Sequence, residues 1–247
     1  MPGLGTVVNI IAILAGSTVG VAFGARLPER TQRTVTDALG LVVLVIGGLN
    51  VMALQDASFV AAVGGAAPLL IVLGSLLIGG ITGSLVGIEA RMEALGGWLQ
   101  QHLAGDGGDA ARARFIEGFV DASLLFCIGP LAVLGALSDG LGHGIDQLAL
   151  KSVLDGFTSI GFAAALGWGV AAAAIPVGVW QGSLTIVAVL AGSLLPAALV
   201  ASVTATGGVL LLGIALRMLQ VREVPVADML PALLVAPLLT LLVHAIA

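Results

Sequence analysis

An aspartate inside an otherwise apolar stretch is the residue of this sequence that could most readily do chemistry. Asp155 lies in KSVLDGFTSIGF, residues 151–162, which opens a hydrophobic run lasting to residue 195. A carboxylate in a membrane segment costs about 2.5–3.5 kcal/mol, so water, a partner or a function must offset that cost. Thr158 and Ser159 follow at helical spacing, which would place three oxygen-bearing side chains on one face. We expect this face to bind a cation such as sodium or to exchange protons.

Other polar residues could belong to the same site. Asp121 opens another apolar segment, either as a second functional carboxylate or as a solvated residue at the membrane interface, where the helix dipole would stabilise it. Lys151 precedes Asp155 by one turn and is either functional or an ordinary loop residue. Gln181 and Asn9 lie in or beside apolar segments, where a hydrogen bond to a neighbouring helix is the simpler explanation of each amide.

An enzyme is the less favoured interpretation of these residues. Two aspartates could form a protease dyad, but that chemistry needs carboxyl groups close enough to share a proton. The segments of Asp121 and Asp155 start from opposite membrane faces, and the chain contains no tyrosine and no GxGD motif. The three histidines show no metal-binding spacing, and no GxSxG motif or phosphate-binding loop is present. We therefore expect no enzyme activity, no cofactor and no metal centre.

The composition identifies the lipid bilayer as the solvent. The chain is 59% hydrophobic and 9% charged, with a mean hydropathy of +1.16, whereas a soluble domain carries about 25% charge. The apolar runs are continuous rather than alternating, which favours helices over a barrel. Nothing in this composition indicates a nucleic-acid partner. Cys127 is the only cysteine and cannot form an intramolecular disulfide.

Hydropathy predicts an all-α integral membrane protein with about eight spans. Pro68 could mark the true start of the long third span, and residues 174–176 could form the turn between spans five and six, although a re-entrant pair is the alternative. Gly129-Pro130 and Gly167-Trp168-Gly169 are candidate helix breaks. The predicted spans lie near residues 4–25, 35–54, 59–88, 116–137, 152–174, 176–195, 200–219 and 228–246.

The positions of the arginines predict the topology. All eight lie in residues 26–33, 91–114 and 217–222, which follow spans one, three and seven. Because cytoplasmic loops carry the positive charge, both termini are expected outside the cytoplasm of a bacterial inner membrane. Residues 89–115 would form a cytoplasmic amphipathic helix and a Gly-Asp linker. This connector would join a first membrane segment, 1–88, to a second, 116–247.

Faint internal similarity indicates inverted repeats. The matching segments run in opposite directions under this topology, as in many secondary transporters, although chance similarity between apolar segments is the alternative. Glycines repeat every fourth residue at Gly16, Gly20 and Gly24 and again at Gly79, Gly83 and Gly87. These ridges predict close helix contacts within a chain or between subunits, and a homodimer is the expected assembly. The matched segments are 11–17 with 187–193, 35–44 with 203–212, and 120–126 with 154–162.

Several of these motifs, in this order, resemble domain-of-unknown-function family 554, bacterial inner-membrane proteins of the YdfK/YqgA type. The resemblance runs from GTVVNIIAILAGS at residue 5 almost to the end of the chain. It implies an inner-membrane protein, and a sodium channel or pump is the activity suggested for such proteins. The segments that carry it most clearly are FVDASLLFCIGPLAVLGALSDG, KSVLDGFTSIGF, GWGV, QGSLT and DMLPALL. The positions that match the family pattern, without assigned roles, are Asp121, Lys151, Ser152, Asp155, Gly156 and Gln181.

Two functional hypotheses follow. The first is a transporter or channel for a small cation or small solute, in which Asp155, Thr158 and Ser159 bind the ion and Asp121 is the related group of the other half. The second is a membrane scaffold or signalling protein that acts through residues 89–115 and the glycine ridges. Replacement of Asp155 separates the two, because only the first hypothesis requires that carboxylate.

Overall fold

The computed structural model describes residues 2–24, 28–103, 108–191 and 196–246. Some parts of the predictions lie outside these residues: the end of the first predicted span at residue 25, Arg26, most of the Gly-Asp linker at 104–107, and the end of the sixth predicted span at 192–195 with the end of the repeat segment 187–193. The described residues are helical almost throughout and contain no strand. Short 3₁₀ helices occupy Met52–Gln55 and Ala227–Met229. The α-helices are α1 (Leu4–Gly24), α2 (Glu29–Val51), α3 (Ala57–Val63), α4 (Ala67–Val86), α5 (Ile88–Leu103), α6 (Gly108–Cys127), α7 (Pro130–Gly140), α8 (Asp146–Leu166), α9 (Gly169–Ala172), α10 (Ala174–Ala191), α11 (Ala197–Met218) and α12 (Ala232–Ile246).

The prediction of a multi-span helical membrane protein is confirmed. Within the described residues, seven helical stretches are long and apolar enough to cross a bilayer. An eighth is obtained if α6 and α7 count as one span, because together they meet the same criteria. These two helices meet at an angle of 62° at residues 128–130. Gly129 has a φ of 149°, and Pro130 follows it, so the predicted break at Gly129-Pro130 has a backbone cause.

The long third span divides into two helices. α3 ends before Gly64, whose φ of 88° a residue with a side chain rarely adopts. α4 then begins at Ala67 with Pro68 in its first turn, where the missing N–H is not needed. Asp56 caps α3 by accepting hydrogen bonds from the backbone N–H groups of Ser58 and Phe59.

The turn between the fifth and sixth spans lies earlier than predicted. α8 ends at Gly167, with a φ of 77°, and Gly169–Leu190 forms the next span. Pro176, which was expected to mark the turn, lies in the first turn of α10, where a proline does not interrupt hydrogen bonding. The prediction of two spans in this region is correct, but its boundary at residues 174–176 is wrong. The left-handed glycine, rather than the proline, ends the helix.

The connector is more helical than expected. α5 begins at Ile88, and α6 begins at Gly108, so the predicted cytoplasmic residues 108–115 belong to a helix that continues into the membrane segment. α5 packs on α6 through two glycines: a Cβ at Gly96 would lie 3.0 Å from the Phe119 ring. The described part of the connector is therefore packed against the first helix that follows it.

The helices form two compact units whose members are not consecutive in sequence. One unit contains Met1–Leu39, Arg91–Cys127 and Leu131–Leu194, and the other contains Gly40–Ala90, Ile128–Pro130 and Leu195–Ala247. In the first unit α1 packs along α8 with almost no space between the backbones. Methyl groups at Gly16, Gly20 and Gly24 would overlap the carbonyl oxygens of Gly156, Ile160 and Ala164. These pairs rise together along both helices, so α1 and α8 are parallel.

In the second unit α4 uses the other glycine ridge. A methyl group at Gly79 would overlap the backbone of Ala232, and one at Gly83 would overlap the carbonyl of Asp228. Gly87 has no such neighbour among the described residues and instead ends α4 with a φ of 69°. Both ridges therefore make contacts inside the chain, and the prediction that Gly87 belongs to a packing ridge is wrong.

The spans matched by the repeat prediction are in contact. Two of the pairs, α6 with α8 and α1 with α10, lie within the first unit, and the part of α2 that contacts α11 lies with it in the second. In α6 and α8, Gly118 packs on Leu166 while Phe126 lies beside Phe162, so these helices are antiparallel. Gly40 approaches Leu219, whereas Gly47 approaches Gly208, so α2 and α11 are antiparallel as well. In α1 and α10, Asn9 bonds Gln181 and Ile10 meets Gly178. The antiparallel directions of α6 with α8 and of α2 with α11 are those that an inverted repeat requires. That the two copies can be superposed stays a prediction.

Candidate ion-binding site

A buried ion pair on α8 forms the centre of the site. Lys151 Nζ lies 2.5 Å from Asp155 Oδ2, one helical turn away. Both residues face the interior of the first unit, and Asp155 is only 7% exposed. The Lys151 ammonium also lies 5.9 Å from the centroid of the Phe126 ring, whose face attracts a cation. The sequence predicted a functional role for this acid but left the lysine open; the structure places the two charges together.

Two amides from other helices complete the network. Asn9 of α1 donates from Nδ2 to Asp155 Oδ2 at 3.0 Å, and from the same nitrogen to Gln181 Oε1 of α10 at 3.4 Å. Both amide side chains are fully buried. Residues from three helices thus form one network, in which Asn9 contacts the carboxylate directly and Gln181 is linked to it through Asn9. Each amide therefore forms a hydrogen bond to another helix, as the simpler explanation predicted. The Asn9 amide also bonds Asp155.

Buried hydroxyl groups lie on the same side of α8. Ser152 is buried and donates to the carbonyl oxygen of Leu148 at 2.6 Å. Ser159 is fully buried one turn beyond Asp155. Thr158 does not join this group: it is partly exposed, and its hydroxyl donates to the carbonyl of Leu154. Thr158 lies about 60° around the helix from Asp155, on the side away from Ser159, so the expectation that all three side chains join one polar group is wrong.

Asp121 is buried but belongs to a different level of the unit. It is 0% exposed on α6, which excludes the alternative of a solvated interface residue. α6 runs antiparallel to α8, with Gly118 beside Leu166 and Phe126 beside Phe162. This register places Asp121 level with the later turns of α8, beyond Asp155. The two carboxylates therefore do not lie at one level, and the role of Asp121 as the related group of the other half stays a prediction.

Asp139 is a buried acid that the sequence analysis missed. From α7 its Oδ2 accepts hydrogen bonds from the backbone N–H groups of Gly3 at 3.1 Å and Gly5 at 2.9 Å. The carboxylate therefore satisfies orphan donors at the start of α1 and complements its dipole. An aspartate at the end of the apolar segment LAVLGALSDG was the available signal. Asp139 fixes the start of the helix that carries Asn9.

A separate apolar groove of about 620 Å³ opens between α1, α6, α9 and α10. Its lining includes Ile10, which follows Asn9, and Gly178, one turn before Gln181. None of the polar network residues lines it. Within the described residues, no three histidine, cysteine, aspartate or glutamate side chains are grouped as a metal site would need.

A second polar cluster lies in the other unit. Glu89 pairs with Arg217 at the end of α11, and its other oxygen accepts a hydrogen bond from the Ala227 N–H at 2.8 Å. The Glu89 N–H in turn donates to Asp228 Oδ1 at 2.8 Å. These contacts join the start of α5 to the segment before α12, and every oxygen named here has a protein donor. We interpret this cluster as structural.

Comparison with known proteins places these residues in a family context. A protein-family model described as "Protein of unknown function (DUF554)" matches residues 4–241. The chain is 31% identical over 243 residues to "Uncharacterized membrane protein YdfK" of Bacillus subtilis (strain 168), covering 98% of this chain and 97% of that protein. It is also 31% identical over 233 residues to "Uncharacterized protein YqgA" of Escherichia coli (strain K12), covering 94% of each. No solved structure matches the chain.

Proposed function

Since the chain belongs to the DUF554 family, whose relatives' names state no activity, we propose from the site itself that this membrane protein moves a small monovalent cation across the bilayer. Asp155 is the carboxylate that binds the cation. The observation that carries the proposal is the buried network in which Lys151 and Asn9 both contact that carboxylate. The choice of a monovalent ion follows from charge, because this network contains one carboxylate, whereas Ca²⁺ sites use several.

A purely structural role explains the network less well. α1 and α8 are already held together by the glycine contacts at Gly16, Gly20 and Gly24. Replacing a buried ion pair with apolar residues is often neutral or stabilising, so an ion pair is not needed to join these helices. Ionisable groups within membrane segments commonly mark ion pathways. The polar network therefore supports a function beyond packing.

Orientation, membrane type and assembly belong to the same proposal. The arginine-bearing segments support an inner-membrane protein with both termini outside the cytoplasm. The homodimer has lost one of its two supports, because the glycine ridges pack inside the chain. It is proposed only from the prevalence of twofold assemblies.

Flux measurements in proteoliposomes test the proposed function. Asp155→Asn is expected to abolish sodium-dependent flux, because the amide removes the charge while keeping the shape. Thr158→Val is the matched control: it changes the same helix, but its hydroxyl bonds Leu154 and lies outside the network. Wild-type flux in a correctly assembled Asp155→Asn protein would remove Asp155 from the mechanism.

The scaffold hypothesis has one observation in its favour. On α5, Leu95 and Trp98 are about half exposed, and they form an apolar surface beside the polar residues of this helix. Deletion of residues 89–115 would also remove the helix that packs on Phe119, so point variants give the clearer result. A scaffold predicts that Leu95→Ser with Trp98→Ser abolishes partner binding, whereas Asp155→Asn is tolerated.

A further inference from the structure

The hydroxyl groups of this protein divide into two classes. Most buried serines and threonines donate to a backbone carbonyl three or four residues earlier on their own helix, including Ser152, Thr185 and Thr206. Such bonds are the ordinary way to satisfy a hydroxyl in a membrane helix. Thr6, Ser17 and Ser159 differ, because their oxygens are buried and have no hydrogen-bond partner within the described residues. All three lie on the two helices that carry Asn9 and Asp155.

Each amide of the network also has one polar atom without a hydrogen-bond partner among the described residues. Asn9 uses its nitrogen twice, and its Oδ1 has no partner among the described residues; the same is true of Gln181 Nε2. Both side chains are fully buried. Buried polar atoms without partners are costly unless something else binds them. The Asn9 oxygen is attached to the same carbon as the nitrogen that bonds Asp155, so an oxygen ligand is available beside that carboxylate.

Ser159 adds a second buried oxygen without a partner among the described residues, one helical turn after Asp155. It lies four residues later on α8, and a Cβ at Gly16 would lie 3.1 Å from the Ser159 Cβ. The parallel register of α1 and α8 brings Ser17 to the same level. Asp155, Asn9 and Ser159 therefore provide a carboxylate, an amide oxygen and a hydroxyl oxygen, the kind of ligands that hard cations take.

The charge of the site raises a difficulty that Lys151 resolves. Its ammonium contacts Asp155 Oδ2 directly and neutralises the carboxylate, so a second cation bound there would leave the buried network with a net positive charge. No acid on α1, α9 or α10 can balance the charge of a second cation, because these helices contain no ionisable side chain. The buried acids of α6 and α7 do not balance it either, because Asp121 lies at another level of the unit and Asp139 accepts hydrogen bonds from the N–H groups of Gly3 and Gly5.

On the basis of the function proposed above, we propose that Lys151 is a tethered competitor at a monovalent-cation site formed by Asp155, Asn9 and Ser159. In the empty site the Lys151 ammonium occupies the carboxylate. A cation binds when this side chain withdraws along α8 toward the membrane surface, where its four-carbon stem lets the charge reach water. One positive charge replaces another, so the buried network stays neutral in both states.

Sodium binding to the purified full-length protein tests the competition. NaCl replaces choline chloride at constant ionic strength, and the unfolding midpoint is followed, because a ligand that binds only the folded state raises it. Lys151→Gln is expected to show the same rise in its unfolding midpoint at a sodium concentration at least about tenfold lower than wild type, the effect of removing about 1.4 kcal/mol of competition. An equal or weaker response in a folded Lys151→Gln protein overturns the proposal.

A second substitution covers the case in which Lys151→Gln does not fold. Lys151→Arg keeps the charge and can hold the carboxylate through two parallel hydrogen bonds, so it should compete more strongly. It is expected to need at least about tenfold more sodium than wild type. An unchanged sodium response in Lys151→Arg overturns the competition. Potassium and ammonium chloride titrations identify the preferred cation, and no response to any of the three ions removes the site.

Two serines provide a matched pair for the ligand assignment. Ser159→Ala should weaken sodium binding about tenfold, whereas Ser152→Ala should leave it unchanged because that hydroxyl is already bonded to Leu148. Equal effects of the two substitutions would exclude Ser159 as a ligand. If Asp155→Asn abolishes flux but Lys151 variants bind sodium like wild type, the proposed function stands and the competition fails. Wild-type flux in Asp155→Asn removes both.

Discussion

Asn9 and Asp155, which are 146 positions apart in the chain, are joined by a buried hydrogen bond of 3.0 Å between Nδ2 and Oδ2. The bond links α1 to α8 at the point where Lys151 contacts the same carboxylate oxygen. It is possible because a row of small residues lets the two helices run parallel at very short range. The position of the polar network thus depends on the glycine contacts around it.

Asn9→Leu should weaken both folding and function. The substitution removes the donor to Asp155 and leaves Gln181 without its partner in the network, at an expected cost of about 1–3 kcal/mol. Thermal unfolding in detergent measures the first effect, and proteoliposome flux measures the second. Asn50→Leu, in the other unit, is the control. Unchanged flux in Asn9→Leu would show that the amide has only a packing role.

Gly20→Ala should destabilise the first unit. The added methyl group would overlap the carbonyl oxygen of Ile160, and overpacking of this kind costs about 1–3 kcal/mol. Gly48→Ala is the matched control, because no atom of the described structure lies within 4 Å of that Cβ. The unfolding midpoint should fall for Gly20→Ala and stay the same or rise for Gly48→Ala. Equal midpoints would contradict the close packing of α1 on α8.

Glu89→Gln should destabilise the second unit. The carboxylate bonds Arg217 with one oxygen and the Ala227 N–H with the other, so the amide cannot satisfy both donors. The expected loss is about 1–3 kcal/mol. A double-mutant cycle with Arg217→Gln measures how much of this belongs to the ion pair. The control is Glu93→Gln on the exposed side of α5. Flux through the folded fraction should remain normal, since this cluster lies outside the ion-binding network.

Asp56 should make α3 sensitive to acid. The Ser58 hydroxyl, at 2.5 Å, is the main cause that lowers the pKa of Asp56 below its ordinary value of 3.8, and the backbone N–H groups of Ser58 and Phe59 add to it. Because the folded pKa is the lower one, the stabilisation is fully present above the unfolded pKa and fades as the pH falls through the folded pKa. Asp56→Ala should therefore cost about 1 kcal/mol at neutral pH and nothing in strong acid. Unfolding measured against pH, with Ser58→Ala as the comparison, checks the sign.

Much of the fold could be predicted because each membrane-spanning helix must satisfy its backbone hydrogen bonds and present apolar side chains to lipid, whatever its neighbours are. Continuous apolar runs, such as residues 200–219, predict spans without knowledge of any neighbour, since lipid requires every backbone group to be bonded within its own segment. The errors in the helix boundaries occur where the backbone conformation of a single residue determines the end of a helix. Gly167 ends α8 because it adopts a left-handed conformation. The sequence does not show which glycine adopts this conformation, and Pro176 predicts a turn as well.

The sequence by itself determined that Asp155 is an acid in a membrane helix and that something must compensate its charge. Only the tertiary structure decided what does so. Lys151 could be anticipated from its spacing of one turn, but Asn9 reaches the carboxylate, and Gln181 reaches Asn9, only through the packing of α1 and α10. The same packing left Thr158 partly exposed and buried Asp121 at another level. Burial and partnership depend on which side of a helix meets its neighbours, and that property belongs to the assembled bundle rather than to any one segment.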